Sequence, residues 1–283
     1  MLLTMHKKSL IIYMNKFTKG IAVNINKEIN NKKTKTARRI PRKLLISLLA
    51  VVIVIAISVG GFCVYASDYY RADTQTIAAL SQGIDVRVTE LDDGSLTYGN
   101  GNEDVGFVFY PGGKVEHTAY EPLAKMLASK GVFCVIVKMP FNLAVLDMNA
   151  ADKILARYSD VGAWYIGGHS LGGSMAAAHA AANEGKYKGL VLLGAYSTSS
   201  LTQTELDVLC LHGSEDKAMN REKHDECKKN LPTSAICTDI EGGCHAFFGS
   251  YGAQDGDGEP TVTLEKQLKI TVNSIYELML RGE

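Results

Sequence analysis

Three observations predict an α/β fold: a mostly parallel central sheet with helices on both faces, preceded by one apolar helix of membrane length. From Val105 onward, apolar runs of strand length alternate with stretches of helical character, the pattern of a sheet built by crossover connections and buried on both faces. A Gly-x-Ser-x-Gly cluster, Gly168 to Gly172, stands where one of those runs meets a helix of small residues. Ahead of all this, Leu44 to Ala66 contains no charged side chain and is long enough as a helix to cross a hydrocarbon core of about 30 Å.

The N-terminal region explains a misleading average. The chain of 283 residues has 30 basic and 30 acidic side chains and a formal charge of zero. Residues 1–43 nevertheless hold twelve Lys or Arg against the single acid Glu28, and residues 67–283 hold 18 basic against 29 acidic. The two parts carry net charges of +11 and −11. The apolar stretch between them has no polar face to turn to water, which argues against a buried helix of a soluble domain. An uncleaved anchor is the favoured reading. Cleavage after Ala66, which would release the rest of the chain, is the alternative, but the basic arm exceeds an ordinary signal-peptide n-region. Phe62 before Cys63 argues against a lipidation site. Basic flanks stay in the cytoplasm, so the arm (1–43, expected to be disordered) is placed inside, with 44–66 as a single-pass anchor through the lipid bilayer and 67–283 outside the cell membrane.

Residues 67–82 are expected to form a stalk or short helix, with the main domain at 83–283. Ile84 to Glu90 alternates apolar and polar, and Asp92-Asp93-Gly94-Ser95 suggests a hairpin returning through Leu96 to Tyr98. Strands are then expected at Val105–Tyr110, Val132–Met139, Ala163–Ile166, Gly189–Leu193, Val208–Leu211 and Ser234–Ile240. Helices are expected near Ala119–Ser129, Ala144–Arg157, Leu171–Asn183, Asn220–Asn230 and Leu264–Leu280. No 20–50-residue period recurs, which excludes a solenoid or propeller.

In open parallel sheets chemistry collects at the carboxyl ends of strands. Ser170 would occupy a sharp, strained turn there, with Gly168 and Gly172 supplying neighbours without bulk and His169 as a structural member of the elbow. A serine hydroxyl is a weak nucleophile and needs a base, which in turn needs a group to fix its tautomer. The run ending in His212-Gly213-Ser214-Glu215-Asp216 offers an acid, Asp216 ahead of Glu215. The next run, ending in Gly242-Gly243-Cys244-His245, offers the histidine. The oxyanion of acyl transfer needs preorganised N–H donors. Leu171, directly after the nucleophile, is one candidate; Gly113 in Pro111-Gly112-Gly113-Lys114 is the other, with Lys114 as runner-up.

Competing chemistries fit poorly. A Walker loop needs Lys after its last glycine, where Ser174 stands here, and the dinucleotide spacing fails as well. No His-Glu-x-x-His cluster is present, and His117, His179 and His224 fall on expected loop or helix surfaces, so neither metal nor cofactor is expected. No nucleic-acid partner is expected either. Cys134 and Cys210 read as small buried hydrophobes. Among Cys227, Cys237 and Cys244 one disulfide is conceivable, Cys227 with Cys237 ahead of the other pairings, and Cys244 has no elbow of its own to make it a nucleophile.

Residues from about Gly106 to Thr271 resemble the α/β-hydrolase superfamily. Within it, FYPGGKVEHTAYEPLAKMLASKG, MPFNLAVL, GGHSLGGSMAA, GSEDKAM and EGGCHAFFGSYGAQDGDG resemble a bacterial subgroup of membrane-tethered or secreted hydrolases, in which Asn commonly stands at the place of Cys244. The resemblance implies acyl hydrolysis with Ser170 as nucleophile, His245 as general acid and base, and Asp216 as its orienter. It implies no substrate. Only Tyr196–Asp207 separates two successive strands, too little for a helical lid, so an open site for a small-molecule or envelope-borne ester is expected. Met139, Phe141, Tyr196, Phe247 and Phe248 are candidates for an acyl pocket. An acyltransferase acting on an envelope acceptor and a non-catalytic binding module on a hydrolase scaffold are the alternatives.

Overall fold

The computed structural model describes residues 41–281, so the expected disordered arm lies, but for its last three residues, outside the described residues. The chain divides into two compact units, one ending at Gly61 and one running from Phe62 to the C-terminus. The apolar stretch is one helix, α1 (Arg42–Ser67). None of the residues in its most apolar 18-residue window is buried in the protein, consistent with a helix whose solvent is lipid.

The second unit follows the expected alternation. After the short helix α2 (Thr74–Leu80) come the hairpin strands β1 (Val88–Glu90) and β2 (Leu96–Tyr98), then β3 (Val105–Tyr110), α3 (Glu121–Ala128), β4 (Val132–Ile136), α4 (Ala150–Arg157) and β5 (Ala163–His169). The chain continues through α5 (Leu171–Ala182), β6 (Gly189–Leu193), β7 (Asp207–Gly213), α6 (Arg221–Cys227), β8 (Ile236–Ile240) and α7 (Leu264–Arg281). The eight strands form one sheet in the order β1-β2-β4-β3-β5-β6-β7-β8. The ladders from β4 to β8 are parallel, and β1 and β2 add an antiparallel edge. Strand periodicity splits β3 between two cores: Phe107 and Phe109 pack under α3 and α7, while Val108 and Tyr110 pack under α4 and α5. Helix α5 lies close because it is built of Gly and Ala; a Cβ on Gly173 would meet that of Ala195 at 2.6 Å.

Of the two readings of residues 67–82, the short helix forms as α2, and the segment is tied to the domain: Tyr70 bridges to Val115, its ring lies 5.6 Å from that of Tyr251, and the Asp73 N–H donates to the Ser250 carbonyl. Tyr70 and its neighbours are therefore part of the folded domain, because each brings hydrogen-bonding groups that the loops it crosses leave unpaired. His179 and His224, expected on surfaces, are buried, as is most of His117. His179 bonds Tyr187 and Asn149, and the His224 ring meets that of His212 edge-on, with centroids 4.0 Å apart. An imidazole with a polar partner at each nitrogen can be buried at small cost, a partnership that periodicity does not reveal.

Candidate active site

Strand β5 runs directly into α5, and the turn between them is one residue, Ser170. Its φ of 52° and ψ of −124° lie in a region that residues with a side chain rarely occupy. Two neighbours make room for it. A Cβ on Gly168 would lie 2.7 Å from backbone atoms of Gly172 and Gly173, and one on Gly172 would run into the carbonyls of Tyr110 and Pro111. Ser170 also donates its N–H to the Leu193 carbonyl, which pins the elbow to the end of β6.

The oxyanion-side loop closes over this elbow. In Pro111 to Val115 the Gly112 N–H donates to the Tyr120 hydroxyl at 3.0 Å, and the Lys114 N–H donates to the Asn142 carbonyl at 2.8 Å. Lys114, the runner-up donor, is thereby committed elsewhere. The Gly113 N–H has no protein acceptor among the described residues, and its α-carbon faces Leu171, whose side chain a Cβ there would meet at 2.9 Å. The Leu171 N–H stands in the first turn of α5, where helix geometry offers no acceptor. Gly113 thus lies against the side chain of Leu171, the residue after Ser170, and neither N–H is committed to a protein acceptor among the described residues.

The acid and the histidine arrive on neighbouring strands. Asp216 follows β7 and His245 follows β8; both side chains are buried, and His245 Nδ1 lies 2.7 Å from Asp216 Oδ2. The Met219 N–H donates to Asp216 Oδ1 at 2.8 Å, so both carboxylate oxygens are held. Glu215, the alternative acid, instead accepts from the Ser214 hydroxyl. The pair lies against the end of β6: a Cβ on Gly194 would touch His245 Nδ1 at 2.8 Å and Asp216 Oδ2 at 3.2 Å. Gly194 follows Leu193, the residue whose carbonyl holds the Ser170 N–H. The elbow, the acid and the histidine therefore share one corner of the sheet.

His169 fills the space between these parts. Its ring is fully buried, 4.4 Å from that of His245. Burial, with the charge His245 can carry as the lesser cause, holds its pKa well below the usual histidine range. The Tyr120 hydroxyl that accepts from the Gly112 N–H also hydrogen-bonds His169 Nδ1 at 2.8 Å. The other ring nitrogen, Nε2, is buried without a hydrogen-bond partner among the described residues. One hydroxyl thus ties the Pro111–Val115 loop to the residue before Ser170.

Three further residues hold the histidine loop. Asp257 accepts from the N–H groups of His245, Ala246 and Lys217 at 3.2, 2.8 and 3.3 Å, joining the histidine loop to the acid loop. Gln267 brackets Cys244, accepting from its N–H at 3.0 Å and donating to its carbonyl at 2.8 Å. Tyr251 packs its ring near His169. The signal for Gln267 was a polar residue on the apolar stripe of α7, with Leu264, Leu268, Thr271 and Ile275. Asp257, an acid between two glycines, had no comparable signal.

Cys134 and Cys210 are buried, as expected of small hydrophobes on strands. Cys237 is not placed for Cys227; it is the register partner of Cys210 across β7 and β8, because successive residues of a strand face opposite sides and these two share one. All six thiols are free, and Cys210 and Cys237 stand opposite each other in the β7–β8 ladder. Burial pushes the Cys244 thiol up to about 12, the wrong direction for a nucleophile. Of the acyl-pocket candidates, Met139 and Phe248 are core, Tyr196 and Phe247 are half-buried, and Phe141 is exposed. No helix forms between β6 and β7, so no lid covers the site from that side.

Comparison with known proteins agrees with this architecture. The model of the alpha/beta hydrolase family matches residues 106–269, more than half of the chain. The chain belongs to the α/β-hydrolase family. A crystal structure of a predicted CIB-like hydrolase from Thermoplasma acidophilum superposes with a TM-score of 0.50 at 14% identity, covering 69% of this chain and 100% of that one. At that identity the likeness concerns the fold alone. A search of curated proteins returns no match. Membership makes the chain a hydrolase by family, with one helix long and apolar enough to span a membrane.

Proposed function

We propose that this α/β-hydrolase is a membrane-anchored serine hydrolase of carboxylesterase type, with its catalytic domain outside the cytoplasmic membrane. Ser170 is the nucleophile, His245 the general acid and base, and Asp216 its orienter; the N–H groups of Gly113 and Leu171 receive the oxyanion. The observation that carries this reading is the buried Asp216–His245 pair at 2.7 Å, set against the same strand end that anchors the strained Ser170 turn.

The chemistry runs in two halves. His245 takes the Ser170 proton as the hydroxyl attacks the ester carbonyl, and the imidazolium so formed is stabilised by Asp216. The carbonyl oxygen gains negative charge where two preoriented N–H groups converge, which requires no solvent reorganisation. His245 then passes the proton to the leaving alkoxide, leaving an acyl-enzyme on Ser170. Water activated by His245 resolves it, restoring the serine. The neutral state of His169 suits this cycle, since a second positive ring 4.4 Å away would oppose the imidazolium.

Orientation in the membrane follows from charge. The basic arm precedes the apolar helix and the acidic domain follows it, which favours a cytoplasmic N-terminus. The test of the chemistry is labelling of the full-length protein by a fluorophosphonate probe together with turnover of short p-nitrophenyl esters. Wild-type protein is expected to label and turn over. Ser170→Ala is expected to lose labelling and to lower kcat by about 10⁴-fold or more, and undiminished labelling in that variant would overturn the assignment.

A further inference from the structure

We propose that the catalytic edge of the sheet rests on the bilayer that α1 enters, and that the substrate is an acyl ester carried in that bilayer. The proposal rests on the serine-hydrolase reading for its chemistry and on the last turns of α1 for its geometry. Those turns, from Phe62 to Ser67, belong to the same compact unit as the catalytic residues. The Phe62 ring meets that of Phe141 edge-on, with centroids 5.2 Å apart. The Lys114 ammonium sits 4.5 Å over the Tyr65 ring and 3.3 Å from the Asp68 carboxylate.

Both contacts are made beside the oxyanion-side loop. Lys114 directly follows Gly113, and its N–H is held by the carbonyl of Asn142, the neighbour of Phe141. The chain therefore leaves its apolar segment within a turn of the residues that would receive the oxyanion. The segment after β4 adds an apolar surface there: Phe141, Val145 and Leu146 are 54%, 57% and 47% exposed. Phe141 and Asn142 both hold positive φ, at 54° and 57°, a backbone that costs free energy for residues with a side chain. Nothing in the domain core is gained by it, since the Phe141 ring is left outside.

Exposed apolar clusters of this kind mark membrane or partner contacts. The bilayer is the occupant favoured here, because the apolar run of α1 extends through Phe62 and reaches the cluster itself. Tyr65, one turn later, is the residue type that sits at the headgroup level, and Lys114 beside it suits phosphate. Charge alone would not hold the domain to an anionic surface, since residues 67–283 carry a net −11. An apolar contact beside a tether is what such a domain needs. With no helix inserted between β6 and β7, an acyl chain could pass from the leaflet to Ser170 without a lid having to open.

The experiment uses the full-length protein in phosphatidylcholine vesicles. The chain has a single tryptophan, Trp164, which is buried, so Leu146→Trp adds a reporter against a constant background. Quenching of that reporter by brominated acyl chains, beyond the wild-type level, is expected; no added quenching would overturn the proposal, and concentration-dependent crosslinking through Leu146 without quenching would assign the patch to a second copy instead. In the variant Val145→Ser/Leu146→Ser, turnover of a long-chain fluorogenic ester dissolved in the vesicles is expected to fall about tenfold, while that of a water-soluble short ester stays within about twofold. Equal falls, or none, would overturn the substrate class. If wild-type protein turns over neither ester, the hydrolase reading fails on its own and the quenching result still decides the surface.

Discussion

The two halves of the candidate site are built by opposite means. The serine half, from the Pro111–Val115 loop to the start of α5, is held by the absence of side chains: Gly168 and Gly172 let backbone meet backbone at distances no Cβ would allow, and Gly113 leaves room for the Leu171 side chain. The acid and histidine half is held by the presence of side chains, Asp257 and Gln267, whose polar atoms take up N–H and C=O groups of the loops after β7 and β8. Steric construction fails abruptly, because an added methyl has nowhere to go. Construction by hydrogen bonds fails by degrees, because a loop that loses an acceptor can still reach water.

The largest effect should come from breaking the steric half. Gly172→Ala places a methyl against the carbonyls of Tyr110 and Pro111, at the point where β3 and α5 touch. Overpacking of this kind costs about 3 kcal/mol, which in a domain of this size lowers Tm by about 6–12 °C. Thermal unfolding followed by circular dichroism checks it. An unchanged Tm would mean that the elbow can shift as a body, and that the contrast between the halves is one of appearance.

That contrast also explains what was legible beforehand. A glycine that must be glycine leaves a mark in the sequence, so Gly168, Ser170 and Gly172 stood out, as did Gly113 in its Pro-Gly-Gly setting. The strands were legible for a similar reason: β3 and β6 are continuous apolar runs, and their bounds agree with expectation. Asp216 and His245 were legible only through their position after strand ends. Asp257 and Tyr120 were not, because an acid in a polar loop and a tyrosine beginning a helix look like ordinary surface and core. Their importance comes from partners 12 and 49 residues away in the chain, His245 and His169, and contacts at such separations are set by the fold. The same holds for Cys237, whose partner Cys210 was determined by strand register.

The second prediction weakens the hydrogen-bonded half. Asp257→Asn keeps the shape but replaces one carboxylate oxygen with a donor, so some of the N–H groups of His245, Ala246, Lys217 and Gly258 lose their acceptor. Hydrogen bonds to a charged group are worth about 1.5–3 kcal/mol. Because the loop that relaxes carries His245, the proposed general base, kcat on a soluble ester is expected to fall about 10–100-fold, with KM nearly unchanged. Tm should drop by no more than about half the shift seen in Gly172→Ala. A fall in KM and kcat together with a large Tm loss would show that Asp257 supports the fold and not the placement of His245.

The smallest effect tests where the second change stops. Cys237 lies exposed on β8 with its thiolate favoured by a hydrogen bond from the Cys210 thiol, which lowers its pKa to about 7. Since the thiolate is the reactive form, alkylation by iodoacetamide should reach its half-maximal rate near that pH in the wild-type protein. Cys210→Ala removes the donor and should move the midpoint up toward the ordinary thiol value of about 8.5. Asp257→Asn should leave the midpoint where it is, because its partners lie in the loops beyond the strands and the β7–β8 register between Cys210 and Cys237 does not depend on them. A midpoint that moved in Asp257→Asn as it does in Cys210→Ala would mean that the loop and the strand pair yield together. The gradual failure attributed to the hydrogen-bonded half would then reach into the sheet itself.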